Sequence, residues 1–182
     1  MVTVNTTTGL LTSQPVTPNF LSPLNFRFSL KRSPNLNFFV VRATIPGFSI
    51  SVTEQTTPFR RIPLSGNKIS FGDFSIVYRV DETFTNYLEM HDWITSLGHL
   101  EDFEDYKKLA SAAKGTGKST LSDGTLTVLD SSKNPRTEIT IKDMFPVEMG
   151  SIWFNADAPT VVHVTNEVKF KFKSFEIKQL PY

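Results

Sequence analysis

The 182-residue sequence contains no cysteine, which excludes disulfide bonds and thiolate metal sites. It contains no run of 18 apolar residues, so no segment has the composition of a membrane-spanning helix. Neither sign of charge is in excess, since 19 basic and 18 acidic residues give a formal charge of +1. This balance does not suit tight binding of nucleic acid, and any contact with DNA would be weak. Residues 1–11 lack the features of a secretory signal, so we expect assembly in a cytoplasm.

The sequence also lacks a recognisable active site. Residues 114–120 include the Gly-Lys-Ser that ends a phosphate-binding loop, but Ala112 replaces the glycine that such a loop needs, and the order of helix and strand is reversed. The acidic residues at 101–105 are typical of a helix start. His91, His99 and His163 form no spaced pair of metal ligands, and each is interpreted as structural. We therefore predict no catalytic residues, no cofactor and no bound metal.

What the sequence does contain is phenylalanine, with sixteen residues, and many segments in which apolar and polar residues alternate. These segments predict strands at 24–31, 36–42, 48–57, 60–64, 68–71, 74–80, 124–130, 136–145, 151–154 and 161–179. We expect turns at Ser33–Asn35 and Ser65–Asn67, a strand end at Pro146, and a β-bulge at Ser174, where the alternation falls out of step. The fold class is mainly β (α+β), an antiparallel sandwich or barrel with one principal helix.

The domain organisation is simple. Residues 1–23 are rich in Thr, Ser, Asn and Pro, and we predict that they form a flexible N-terminal arm. Residues 24–182 form a single domain, which is long enough to bury a core.

The principal helix lies at the end of a central unit that spans residues 59–97. Asp81 and Thr83 can cap its start, the apolar period of 3.6 runs from Phe84 to Leu97, and Gly98 ends it. A second, weaker helix is predicted at about residues 101–113. The apolar arc of the principal helix is wider than one sheet requires.

Two interpretations of that wide arc remain open. Either the helix is sunk between two layers of its own domain, or one flank covers its own sheet and the other meets a different subunit. Our hypothesis is that Met90, Trp93 and Leu97 contribute to contacts between subunits.

The most regular charged feature is a stripe of lysines in the last predicted strand. Lys169, Lys171 and Lys173 alternate with apolar residues and therefore share one face. The stripe is either a solvated outer face or protected edge, or a face that opposes an acidic surface of a partner.

The order of these motifs resembles that of the tail tube proteins of contractile-tailed bacteriophages, relatives in fold of the Hcp rings of type VI secretion. The resemblance covers roughly residues 24–180. It is carried by Ala-Thr-Ile-Pro-Gly at 43–47, Arg-Arg-Ile-Pro-Leu-Ser-Gly at 60–66, Phe-Ser-Ile-Val at 74–77, Phe84 with Trp93 in the helix, Tyr-Lys-Lys at 106–108, and Glu-Ile-Thr-Ile-Lys-Asp-Met-Phe-Pro at 138–146 followed by Gly150.

The resemblance implies a virion protein that forms hexameric rings, stacked into the inner tail tube through which DNA passes at ejection. Its expected partners are further copies of itself, the tail sheath, the baseplate hub and the tape measure protein, with no membrane anchor, no cofactor and no catalytic residues. The long arm and the neutral charge leave room for a specialised ring, such as a tube initiator or a tail terminator. A monomeric β-sandwich that binds a ligand and a nucleotide-using enzyme are the alternatives from other classes.

Overall fold

The computed structural model describes residues 19–98, 107, 120–157, 160 and 162–181. Its elements are β1 Phe26–Leu30, α1 Pro34–Asn37, β2 Val40–Ala43, β3 Phe48–Thr56, β4 Arg61–Phe71, β5 Phe74–Arg79, α2 Thr85–Gly98, β6 Ser122–Leu129, β7 Pro135–Met149, β8 Thr165–Lys171 and β9 Ser174–Gln179. All strand pairs are antiparallel. The mainly β class with one principal helix is confirmed.

The body is a 7-stranded sheet in the order β1-β6-β7-β8-β5-β2, in which β9 also pairs with β7. The long strand β7 serves both halves of this sheet. It pairs with β9 up to Lys142 and with β6 up to Met144, and from Phe145 it pairs with β8. Asp143, between these two parts, has a φ of 54°, so the backbone there departs from the extended geometry of a strand.

The core lies between this sheet and α2. Alternate residues of β5, Phe74, Ile76 and Tyr78, are fully buried, as the predicted alternation requires. Burial contributes about 1.5–3 kcal/mol for each large apolar side chain. Burial also raises the pKa of Tyr78 above its usual range, and its hydroxyl has no hydrogen-bond partner among the described residues. The Trp93 ring of α2 packs 6.1 Å from the Phe170 ring of β8.

The start of α2 is fixed by polar side chains. The Leu88 N–H donates to the carbonyl of Phe84, which has a φ of 60°. Asp81 Oδ1 accepts from the Asn86 N–H, and Asn86 Oδ1 accepts from the Asp81 N–H, each at 3.3 Å. Although desolvation opposes it, hydrogen bonding from Thr83 and from backbone N–H groups lowers the pKa of Asp81. The predicted capping role of Asp81 is therefore confirmed, although Asp81 lies before the residue that begins the helical bonding.

Three predictions in the C-terminal part of the chain are wrong. β7 does not end before Pro146, because beyond Met144 it pairs only with β8 among the described strands and is an edge there, where proline is tolerated. Residues 151–154 have no strand partner in the described chain and form no strand. The loss of step at Ser174 is not a bulge within one strand, since β8 ends at Lys171 and β9 begins on the other half of the sheet.

Other predictions fail earlier in the chain. Ser65–Asn67 is not a turn, since β4 runs through it and a register shift opposite Ile50 and Val52 absorbs the irregularity. The expected turn after Ser33 is the short helix α1. The strand predicted at 36–42 and covered on both faces is also wrong, because Leu36 lies in α1, Phe38 is exposed, and β2 is an edge strand on β5.

The predicted β6–β7 hairpin is confirmed, with Ile139 and Ile141 buried. Most of the predicted second helix, the acidic residues at 101–105 and the Gly-Lys-Ser loop lie outside the described residues. No helix in the described part of the chain combines the length and apolarity needed to cross a membrane.

Candidate assembly surfaces

Strands β3 and β4 extend the β2–β5 pair into one two-stranded ribbon. The pairing keeps a single register through the corner at residues 44–47, as Ala43 pairs with Ile76 and Phe48 with Phe71. Between them, the Gly72 N–H donates to the Gly47 carbonyl at 2.8 Å. The Pro-Gly corner therefore redirects the chain without ending the ladder.

The β3–β4 part of the ribbon lies outside the 7-stranded sheet. Every residue of β3 is exposed, and neither β3 nor β4 pairs with another described strand. Its exposed large apolar side chains are Phe48, Ile50, Val52, Leu64 and Ile69. Strand edges without partners and exposed apolar side chains both favour association with another chain.

An aromatic cluster anchors the β3–β4 part of the ribbon to the body at Phe48 and Phe71. The Phe71 ring lies 5.6 Å from the rings of Phe172 and Phe175, and the Phe48 ring lies 6.4 Å from that of Phe175. Phe172 and Phe175 flank the point at which the chain passes from β8 to β9. The ribbon is thus fixed to the part of the body where the two halves of the sheet meet.

The ribbon ends in a tight turn at residues 57–60, which we call the tip. Thr57 closes it, since its N–H and its hydroxyl both donate to the Arg60 carbonyl, at 3.0 and 2.6 Å. Pro58 restricts the backbone at the first of the two central positions. Phe59 occupies the second and is 97% exposed.

At the other end of the ribbon lies a groove of about 630 Å³. Its apolar lining is Phe38, Phe39, Val41, Val80, Phe84 and Val164, and its polar lining is Arg79, Asp81, Glu82 and His163. The Arg79 N–H donates to the Phe39 carbonyl at 3.0 Å, which places the groove at the root of the β2–β5 pair. We refer to this feature as the root groove.

Further aromatic side chains adjoin the root groove. A second depression shares His163 and Val164 with it and is lined by Trp153, Phe154 and Val162. The Phe154 ring stacks on that of Phe84, 6.5 Å away. Trp153 is 86% exposed. This end of the molecule therefore presents a second large apolar surface, at the end of the ribbon opposite the tip.

The structure places the three predicted interface residues of α2 in two environments. Met90 and Trp93 are fully buried in the core of their own subunit, and the Trp93 Nε1–H donates to the Thr120 carbonyl at 3.1 Å. The wide apolar arc therefore mainly covers the chain's own body. Leu97 is only partly buried against that core. A role in subunit contacts stays a prediction for Leu97, while Met90 and Trp93 have no exposed surface to share in this conformation.

Each lysine of the stripe has an acidic partner within the subunit. Lys169 Nζ lies 3.0 Å from a carboxylate oxygen of Glu148, and Lys173 Nζ lies 3.9 Å from one of Asp143. Lys171 pairs with Asp73. The hydrogen bond that Lys169 donates to the Glu148 carboxylate raises the pKa of Lys169. The pairs are solvent-exposed and contribute little to stability, and they neutralise the stripe in advance of any partner.

The described residues contain no cluster of three or more side chains suited to hold a metal. His91 is half-exposed, lies on the helix surface 3.4 Å from Asp92, and stacks on Tyr87. His163 lines the root groove, and His99 lies outside the described residues.

Sequence reasoning missed both the tip and the root groove. The available signal for the tip was Pro58-Phe59 between two β segments, since proline favours a turn and a phenylalanine beside it has no core to enter. No local signal marks the root groove, because its lining comes from three separate stretches of chain.

No protein-family model matches the chain, and no curated protein matches it in sequence. Several solved structures match it in fold. The chain is similar to the tube-terminating cap of the anti-feeding prophage, with 9% identity, 95% of this chain and 100% of that chain covered, and a TM-score of 0.65.

It is also similar to a chain of the sheath–tube complex of the extracellular contractile injection system PVC, with 9% identity over 90% of this chain and 94% of that chain, at a TM-score of 0.62. For the sheath/tube terminator of PVC the values are 13% identity, 89% and 99% coverage, and a TM-score of 0.61. At such identities the likeness shows the fold, and the fold is that of tail tube proteins.

Proposed function

We propose that this protein is a structural ring subunit of the tube of a contractile tail. In the detailed form of the proposal, copies form hexameric rings that stack into the inner tail tube of a contractile bacteriophage, and DNA passes through the channel at ejection. The fold shared with components of contractile injection systems supports the coarser statement. The protein acts by assembly and carries no catalytic role.

The observation that carries the proposal is the β3–β4 part of the ribbon, whose outer edges pair with no other strand in the described part of the chain. A monomer that stayed single would expose two free strand edges and a row of large apolar side chains, which soluble monomers rarely do. Ring closure and stacking provide partners for such surfaces without disulfides, which this chain cannot form.

The partners follow from the place of the subunit in a tail. In addition to further copies of itself, we expect the sheath outside the tube, the baseplate hub at one end and the tape measure protein within. Contact with DNA occurs only in passage. The mature location is the virion, after assembly in the host cytoplasm.

A second candidate is a specialised ring that begins or ends the tube. It is favoured by the similarity to a tube-terminating cap and to a sheath/tube terminator, which the chain covers almost completely. The two candidates differ in whether rings of this protein stack on one another.

Negative-stain microscopy of the purified full-length protein distinguishes a main tube subunit from a specialised ring. Long tubes are expected for a main tube subunit, and isolated rings for an initiator or terminator. Small, monodisperse particles at high concentration, with neither rings nor tubes, would overturn the proposal and favour a monomeric binding module.

A further inference from the structure

We propose that the tip of one copy inserts Phe59 into the root groove of a second copy. This inference rests on the proposed function, because it names the contact by which subunits associate. The occupant of the groove is a second copy of this chain.

The two surfaces match in chemistry. Phe59 is 97% exposed, whereas the groove offers aromatic and branched aliphatic side chains within about 630 Å³, enough for an aromatic ring and its neighbours. Burying a phenylalanine ring that is almost fully exposed in the single copy favours the contact. Pro58 and the bonds of Thr57 hold the tip in one conformation, which lowers the entropy cost of binding.

The charges also match. Arg61 is paired with Glu54 across the ribbon at 3.3 Å, and Arg60 is the exposed cation next to Phe59. The groove carries two carboxylates, Asp81 and Glu82, against the single permanent cation Arg79. Glu82 is exposed and is the carboxylate that an incoming arginine can reach.

The fold prevents a copy from filling its own groove. The groove is at the root of the ribbon, beside Phe39, and the tip begins after Thr56. At about 3.3 Å per residue, the strands between them span about 55 Å when extended. One copy therefore presents the tip and the groove at opposite ends of the same ribbon.

A contact between unlike ends of identical molecules is heterologous. When a pair shares one such contact, one tip and one groove stay free, so the contact closes into a ring or continues without limit. This is the type of contact that a tube requires.

The absence of native cysteine allows a direct test by cross-linking. A Phe59→Cys substitution is combined, in separate proteins, with Phe38→Cys, Val41→Cys or Val162→Cys at the groove and its neighbouring depression. Each protein is oxidised and examined by non-reducing gel. Because a disulfide needs Cβ atoms about 4 Å apart, we expect a ladder of covalent multimers from at least one pair. Each single variant should stop at dimers.

The matched control pairs Phe59→Cys with Phe20→Cys, since Phe20 is equally exposed and lies outside the root groove. An equally strong ladder from this control would mean random collision and would overturn the inference. If the wild-type protein forms tubes and none of the three cysteine pairs gives a ladder, the inference is overturned and the proposed function still stands.

Charge reversal gives an independent readout. Arg60→Glu and Glu82→Lys should each weaken association several-fold, and the double variant should recover it. If both single variants associate poorly and the double variant does not regain association, the contact between Arg60 and Glu82 is excluded. A positive ladder in a protein that forms open fibres without rings would support the contact and overturn the proposed ring subunit.

Discussion

At the scale of single residues, the position of Trp93 determines what its removal should do. The ring is fully buried, packs on Phe170, donates a hydrogen bond to Thr120, and lies 4.9 Å from the Arg32 guanidinium. We expect Trp93→Ala to lower the free energy of unfolding by about 3–5 kcal/mol. Urea denaturation followed by circular dichroism at low protein concentration measures this loss.

Leu97→Ala is the matched control on the same helix. Its side chain is only partly buried, so we expect a smaller loss of stability, and weaker assembly if Leu97 contacts a neighbouring subunit. A Trp93→Ala protein with wild-type stability that fails to assemble would instead place Trp93 in an interface.

One carboxylate at this scale also gives a pH-dependent prediction. Asp130 accepts hydrogen bonds from the N–H groups of Asn134 and Ser132, at 2.9 and 2.8 Å, and from Arg136 Nε at 3.1 Å. These bonds, that of Asn134 foremost, lower the pKa of Asp130. A carboxyl group with a lowered pKa in the folded state contributes stability above its unfolded pKa, about 3.9. That contribution disappears as the pH falls through the folded pKa.

We therefore expect Asp130→Asn to lower the melting temperature by a few degrees at pH 7. The difference from wild type should shrink as the pH falls below about 3.9. Thermal unfolding across this pH range tests both statements, with Asp157→Asn in an exposed loop as the control. A difference that stays constant with pH would show that the charge of Asp130 is not what stabilises the turn.

At the scale of elements, the ribbon depends on one close approach. A Cβ atom added to Gly66 would lie 2.2 Å from Ser51 Oγ and 2.5 Å from the Ser51 carbonyl oxygen. Since the second of these atoms belongs to the backbone, Gly66→Ala should distort the pairing of β3 with β4. The core should keep its stability, because the ribbon lies outside it.

The expected result for Gly66→Ala is a wild-type melting temperature in dilute solution together with impaired assembly, measured by light scattering and microscopy. Gly47→Ala is the control, because a Cβ atom at Gly47 has no neighbour within 4 Å. Normal assembly of the Gly66→Ala protein would mean that the geometry of the ribbon does not matter for association.

The elements also show which parts of the fold the sequence could predict. β5 and α2 are correctly predicted, because alternation in Phe74–Arg79 and the helical period after Phe84 arise from burial against one core. The turn predicted at Gly66 and the stop predicted at Pro146 fail for a common reason. In both, a residue that usually breaks structure serves a tertiary requirement, a close strand approach or an edge position.

The functional surfaces were harder to predict than the core for a physical reason. Core residues leave a periodic signal because burial selects one face of an element. Phe59 and Phe38 leave no periodic signal, since Phe59 is a single exposed side chain within a turn and Phe38 is one at the end of a short helix. Their relationship becomes visible only when the pairing of the ribbon, which includes two register shifts, connects residues 39 and 79 to residues 56 and 61.

At the scale of the whole molecule, the proposed association of copies through apolar surfaces at both ends of the ribbon should make stability depend on concentration. Only folded chains associate, and unfolded chains do not. Association therefore stabilises the fold by mass action. We expect the melting temperature of the wild type to rise with protein concentration. It should approach a lower, constant value in dilution, where the single subunit with its own core melts.

Phe59→Ser should flatten this dependence without changing the dilute value, because Phe59 contacts no part of the core and is almost fully exposed. Phe20→Ser, at a residue of the same type and exposure, should keep the wild-type slope. Scanning calorimetry over a hundredfold range of concentration, with light scattering on the same samples, measures both quantities. A wild-type melting temperature independent of concentration, in samples that scatter as monomers throughout, would mean that these surfaces do not join copies of the chain.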